Sequence, residues 1–179
     1  DLGIESANST IKAVSTFAVD ISGYFQSDET NYGDFNGIWR GGFNISNIGP
    51  KVSYSDDGQD NYIPTNLKIG GGFDFILDQH NSITLNLEFN KLLVPTPSIP
   101  LTEGGDYYVS EDVGFISGIF KSFGDAPGGF SEELKEFTWA LGAEYVYSNS
   151  FAIRAGYFNE SDLKGARKYF TLGSGFKFK

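Results

Sequence analysis

The stretch Leu67-Lys68-Ile69-Gly70-Gly71-Gly72-Phe73-Asp74-Phe75 decides the fold class. Leu67, Ile69, Phe73 and Phe75 fall on one face of an extended chain and Lys68, Gly70, Gly72 and Asp74 on the other, the period-two pattern of a strand with one apolar and one polar side. The next run sets Ile83, Leu85, Leu87 and Phe89 opposite Thr84, Asn86, Glu88 and Asn90. Upstream, Phe17, Val19, Ile21 and Phe25 oppose Asp20, Ser22 and Tyr24, and Trp39, Phe43 and Ile45 oppose Arg40, Asn44 and Ser46. Downstream, Phe137, Trp139, Leu141, Ala143 and Tyr145 oppose Thr138, Gly142 and Glu144; Phe151, Ile153, Ala155 and Tyr157 oppose Arg154 and Gly156; Phe170, Leu172, Phe176 and Phe178 oppose Thr171, Gly173 and Lys177. Seven runs therefore satisfy the strand template. The triple glycine stays inside an alternating strand and lacks the strand-to-helix setting of a phosphate loop; it allows bending or a close approach between groups.

The chain has 179 residues, enough for one domain with a substantial core. Its 23 acidic and 13 basic residues give a net charge of −10, which argues against a nucleic-acid partner. The 23 glycines and 17 phenylalanines suit a curved sheet. With no cysteine there is no disulfide, zinc–thiolate site or thiol chemistry. With no methionine, a chain beginning at Asp1 has lost its initiator; removal of a signal peptide and excision from a longer chain both fit. No apolar run approaches the ~20 residues of a membrane helix.

The alternation fits a soluble sandwich or lipocalin-like barrel, with the apolar face buried, and equally a transmembrane antiparallel β-barrel, with that face in lipid. Two features favour the membrane barrel. The runs exceed the usual strand length of about 5–6 residues, and Asp20, Arg40, Lys68, Asp74, Glu88, Glu144 and Arg154 sit among glycines on the polar faces as a crowded lumen network would require. Short connections at 78–81 and 148–150 are then periplasmic and the longer ones at 49–64 and 159–167 extracellular, which forces the connector 26–37 to be periplasmic as well. Parity gives the stretch 95–136 either no membrane pass or two. Val113, Ile116, Phe120 and Phe123 fit one stripe of a short helix and Ser131-Glu132-Glu133-Leu134-Lys135 adds another turn, so this stretch reads as a structured outer insertion. Seven strands do not close a bacterial barrel, which has an even number. Residues 1–179 therefore read as the C-terminal part of one larger outer-membrane barrel domain, with a complete eight-stranded barrel as the alternative.

The sequence offers little for catalysis. His80, the single histidine, lies in the turn Asp78-Gln79-His80-Asn81, where nothing supports a triad or a metal site. The pairs Asp56/Asp57 and Glu132/Glu133 lack the ligand spacing of a calcium loop. No enzyme activity, metal or cofactor is expected. Two segments stand out instead. Lys91-Leu92-Leu93-Val94-Pro95-Thr96-Pro97 is a rigid strand exit whose prolines stop the ladder. In Asp125-Ala126-Pro127-Gly128-Gly129-Phe130-Ser131-Glu132-Glu133-Leu134, a Pro-Gly-Gly turn precedes a short helical start anchored by Phe130.

With these two segments the chain resembles the PorV (LptO) family of outer-membrane proteins of the Bacteroidetes type IX secretion system. The resemblance runs from Gly3-Ile4-Glu5-Ser6-Ala7-Asn8-Ser9-Thr10 through residues 61–67, 91–97 and 125–134, then Gly142-Ala143-Glu144-Tyr145, 154–160 and 164–178. Arg167-Lys168-Tyr169-Phe170-Thr171 before Gly173 looks like the family's terminal strand, with Phe178 penultimate where the family ends on an aromatic. The resemblance implies a FadL-like, 14-stranded barrel in the outer membrane, a multi-pass protein of which this chain supplies about the last seven strands. It implies a non-enzymatic role: binding the C-terminal signal domain of secreted cargo, association with the SprA/Sov-type translocon, and delivery to the surface attachment complex, in contact with outer-membrane lipid and lipopolysaccharide. A FadL-like hydrophobic-solute transporter and a lipid A deacylase are the alternatives. A docking module needs exposed apolar anchors. Leu92, Val94, Ile99, Tyr107, Tyr108, Phe123 and Phe130 are the candidates, with Pro95, Pro97 and Pro127 shaping the loops and Glu132 and Glu133 supplying rim charge.

Overall fold

The computed structural model describes residues 14–53, 60–96, 99–100, 107–108 and 113–178, the two short pairs by their backbone alone. The long strands are β1 (Val19–Gln26), β3 (Asn36–Ile48), β4 (Asn66–Ile76), β5 (Asn81–Leu92), β8 (Thr138–Tyr147), β9 (Phe151–Asn159) and β10 (Lys168–Phe176). They hydrogen-bond in chain order as one antiparallel sheet, with the two-residue β2 (Thr30–Asn31) added to β3. All seven alternating runs are strands, and their cross-strand partners keep apolar with apolar: Phe43 faces Ile69, Trp39 faces Phe73, Ile83 faces Tyr145.

The sheet is open. Among the described residues β1 bonds only to β3 and β10 only to β9, so the two are its edges. This corrects the expectation of a closed, FadL-like 14-stranded barrel, and with it the readings of the strands as transmembrane and of the chain as a multi-pass barrel. Closure requires the first and last strands to pair at a consistent stagger. Alternation specifies strands and their faces and leaves that pairing unspecified. Among the described residues no helix is long and apolar enough to cross a membrane.

Among the described residues neither a sandwich nor a conventional core forms. The buried hydrophobic residues are Val52, Leu93, Ala126 and Ala152, whereas Phe170 and Leu172 stand 82% and 87% exposed on the apolar face. Order along that face comes from aromatic side chains that meet across strands, along one strand and from the turn before β3. Trp39 and Phe73 rings meet edge to face at 4.6 Å, Phe73 and Phe75 do so at 4.6 Å, and Tyr32 and Phe35 stack at 5.4 Å. The cluster closes over Gly37, where a Cβ would collide with the rings of Phe73 and Tyr32.

The two ends of the sheet differ. At one end Asp78 accepts hydrogen bonds from the backbone N–H groups of His80 (2.7 Å) and Asn81 (2.8 Å), which closes the β4–β5 turn. Those bonds, the His80 one foremost, hold its carboxyl below the ordinary carboxylate value. Ser148 and Asn149 take φ of 50° and 52°, the left-handed pair at the centre of a turn that the Ser150 N–H closes on the Tyr147 carbonyl at 3.0 Å. The opposite end carries the connections 49–65, 93–137 and 160–167. Within the second of these lie β6 (Ile99–Pro100) paired with β7 (Tyr107–Tyr108), helices α1 (Phe115–Lys121) and α2 (Phe130–Glu133), and a 3-10 turn (Leu134–Glu136). Of the stripe of Val113, Ile116, Phe120 and Phe123, Ile116 and Phe120 lie in α1.

Gly37→Val is expected to destabilise the sheet by about 1–3 kcal/mol by wedging the aromatic cluster apart. Denaturant unfolding followed by tryptophan fluorescence measures it; an unchanged midpoint would contradict the packing described.

Candidate docking site at the loop end of the sheet

β5 ends in a residue that breaks its own pattern. Ile83, Leu85, Leu87 and Phe89 occupy the apolar face, and the next position in that series is Lys91, whose side chain is 0% exposed. A buried ammonium persists only when its charge is matched. Both partners come from the insertion: Glu133 of α2 and Glu136 of the 3-10 turn each place a carboxylate oxygen 2.6 Å from Lys91 Nζ. The rings of Phe123 and Phe137 lie 5.8 Å and 5.4 Å from the same nitrogen, within cation–π range.

Glu136 also reaches outward. Its second oxygen accepts a hydrogen bond from Lys164 Nζ at 2.9 Å, and Lys164 lies in the β9–β10 connection. Burial opposes ionisation of Glu136, yet the hydrogen bonds and charges of Lys91 and Lys164 outweigh it and hold the carboxyl below its ordinary value. Further ties fasten the insertion. Thr96 donates its backbone N–H to Asp125 at 2.8 Å, the Tyr62 hydroxyl donates to the Val113 carbonyl at 2.7 Å, and the Pro95 ring lies against Gly118 of α1.

The chain enters α2 through Gly129, whose φ of 71° lies in the region that favours glycine. The Gly129 N–H donates to the Ala126 carbonyl at 2.9 Å, closing the turn that Pro127 and Gly128 occupy. The turn leaves Phe130 at the head of the helix, 77% exposed.

The anchors anticipated from sequence separate into groups. Leu92, Phe123 and Phe130 are exposed, Val94 and Pro127 half-buried, and Pro95 buried. Glu132 turns toward Lys164 (3.8 Å) and accepts the Gly128 N–H (2.6 Å). Glu133 is 4% exposed beneath Lys91, so its charge serves the interior. Pro97 and the side chains of Ile99, Tyr107 and Tyr108 lie outside the described residues. Lys91, Glu136 and Lys164 were not singled out from sequence; the signal for Lys91 was a charge at an apolar position of the alternation.

On the polar face the anticipated network resolves into two parts. Arg40 pairs with Asp74, which also accepts the Thr84 hydroxyl at 2.7 Å, and Arg154 pairs with Glu144. Lys68 and Glu88 form no ion pair among the described residues. Asp20 lies elsewhere: it accepts the backbone N–H of Asn47 at 2.8 Å, at the bulge where β3 carries one extra residue between the Val19–Ile48 and Ile21–Ile45 pairs. Over this face runs an open trough of 720 Å³ floored by Gly142, Gly156 and Gly173. Among the described residues no cluster of His, Asp and Glu is arranged to hold a metal ion, and His80 stands 6.4 Å from the Tyr147 ring in its turn.

The described residues form an open β-sheet with an insertion clamped across one end and exposed apolar side chains upon it. Residues 1–99 match the family described as type IX secretion system protein PorV, and the chain belongs to that family. No curated protein matches the chain. Membership gives it an outer-membrane, secretion-related role.

Lys91→Met leaves two buried carboxylates facing each other and is expected to release the insertion, at a cost on the order of 3–5 kcal/mol. Adding Glu133→Gln and Glu136→Gln should recover part of that loss. Hydrogen exchange resolved along the chain measures both variants; equal protection of 113–136 in Lys91→Met and the parent would contradict the clamp.

Proposed function

We propose that the chain serves type IX secretion as a non-enzymatic component that binds the C-terminal signal domain of secreted cargo at the loop end of its sheet, associates with the SprA/Sov-type translocon, and passes cargo to the surface attachment complex. Its place is the outer membrane, with lipid and lipopolysaccharide against its apolar surfaces. The observation that carries the reading is the pairing of the family match with Phe130, an aromatic held in solvent by a clamped insertion. Keeping such a side chain ordered outside a core lowers the cost of ordering on association and supports docking.

The trough does not single out the transporter alternative, because its lining is mixed: Arg40, Glu88, Glu144 and Arg154 stand beside Leu141, Tyr157, Phe158 and Leu172. An apolar solute needs an apolar route.

Phe130→Ala is expected to lower capture of a purified cargo signal domain by about tenfold or more, the loss typical of a central aromatic anchor, and to reduce export in cells. Trypsin sensitivity of the insertion should stay as in the parent. Unchanged capture and export would overturn the reading.

A further inference from the structure

The register of β5, β8, β9 and β10 sets three rows of residues across the polar face. Glu88, Ala140, Phe158 and Tyr169 lie nearest the loop end, then Asn86, Gly142, Gly156 and Thr171, then Thr84, Glu144, Arg154 and Gly173. All three rows line the 720 Å³ trough, so strand pairing and cavity define one site. Four residues along each strand separate the outer rows, about 13 Å at the rise of a β-strand.

The middle row is low. A Cβ at Gly142 would meet nothing within 4 Å, and the Thr171 hydroxyl lies across Gly156, 2.6 Å from where a Cβ would stand. The outer rows differ in chemistry. On the loop side the Phe158 and Tyr169 rings stack at 5.0 Å and 17°, and Tyr169 stays 50% exposed on the edge strand β10. On the turn side Arg154 donates through Nε to Glu144, and its terminal nitrogens bond to no group among the described residues. An aromatic face, carboxylate acceptors and guanidinium donors thus surround a space that no side chain fills.

We propose that the trough binds a neutral saccharide, with one pyranose ring stacked on Tyr169 and its hydroxyls hydrogen-bonded to Glu88, Asn86 and the Glu144–Arg154 pair. The site shares no residue with the docking site and goes beyond the docking reading. The C–H bonds on one face of a pyranose are weakly positive and pack against the negative face of an aromatic ring. Its hydroxyls donate and accept, which matches a lining of carboxylates, guanidinium and carboxamide. Its lack of charge matches an even balance: Arg40 and Arg154 stand against Glu88 and Glu144 in the lining. Asp74 behind Arg40, and Lys68, which shares a neighbouring hollow with Glu88, preserve that balance.

Other ligand classes fit less well. An anion would face Glu88 and Glu144, and a cation Arg40 and Arg154. An apolar chain would strip water from the Glu144–Arg154 pair and offer it no hydrogen bond. A peptide would find the backbone of the floor already bonded in the ladder, which removes the strand-addition mode.

The test uses protein extracted from the cell envelope, titrated calorimetrically with neutral hexose trisaccharides and with uronic acid trisaccharides of the same length. The neutral sugars are expected to bind and the acidic ones to bind more weakly. Tyr169→Ala should weaken binding about tenfold and Tyr169→Phe restore it, since stacking requires only the ring. Gly142→Val places its side chain in open space, so it should abolish binding while the unfolding midpoint and capture of a cargo signal domain stay as in the parent. Binding that survives both Tyr169→Ala and Gly142→Val would overturn the proposal, as would no binding of any neutral trisaccharide at about 10 mM. Tighter binding of the uronic acids would assign the trough to anions and overturn it. Loss of cargo capture in Gly142→Val, with no saccharide bound by the parent, would assign it to a peptide and overturn it equally. Competition by lipid-free polysaccharide from lipopolysaccharide would support the proposal and identify that glycan as the source; trisaccharide binding without such competition would support it with free oligosaccharide as the source.

Discussion

A lysine without solvent contact holds this architecture together at its functional end. Lys91 sits where the ladder of β5 stops, and among the described residues its charge is matched by Glu133 and Glu136, which arrive from more than forty residues further along the chain. An ammonium in that position is tolerable with both carboxylates in place and costly without them. The insertion therefore cannot drift from the sheet without exposing the charge or leaving it unmatched. Tyr62 to Val113, Thr96 to Asp125 and Lys164 to Glu136 tie the same end further.

The sheet supplies the platform in an unusual manner. Its stability lies in the backbone ladder and in cross-strand contacts such as Trp39 with Phe73, because few apolar side chains are buried. The ladder stays regular from β3 through β10, and its one irregularity, the bulge at Asn47, lies beside the loop end, where Asp20, Thr65 and the Pro64 carbonyl engage that residue. A regular platform with its irregularity at the functional rim positions the loops without demanding precision from the rest of the chain.

Much of this was legible in the sequence, for reasons that differ between segments. The strands were, because period-two alternation in runs such as 67–75 admits no helical reading. The insertion's helices were legible from the stripe of Ile116 and Phe120 and from the Pro-Gly-Gly turn before Phe130. Closure was not, since pairing between edge strands leaves no trace in alternation. The roles of Glu132 and Glu133 could not be separated either. Adjacent residues on a helical turn point about 100° apart, and only the position of Lys91 and Lys164 in space decides that Glu133 turns inward while Glu132 meets the neighbouring loop.

The account predicts that a protein domain covers the insertion while cargo is in transit. A photoreactive benzoylphenylalanine in place of Phe130, irradiated in cells that are exporting cargo, tests this most directly. The account requires a crosslinked species containing the cargo's C-terminal signal domain, identified by mass spectrometry. Crosslinks confined to lipid or to this chain's own residues under active export would contradict it.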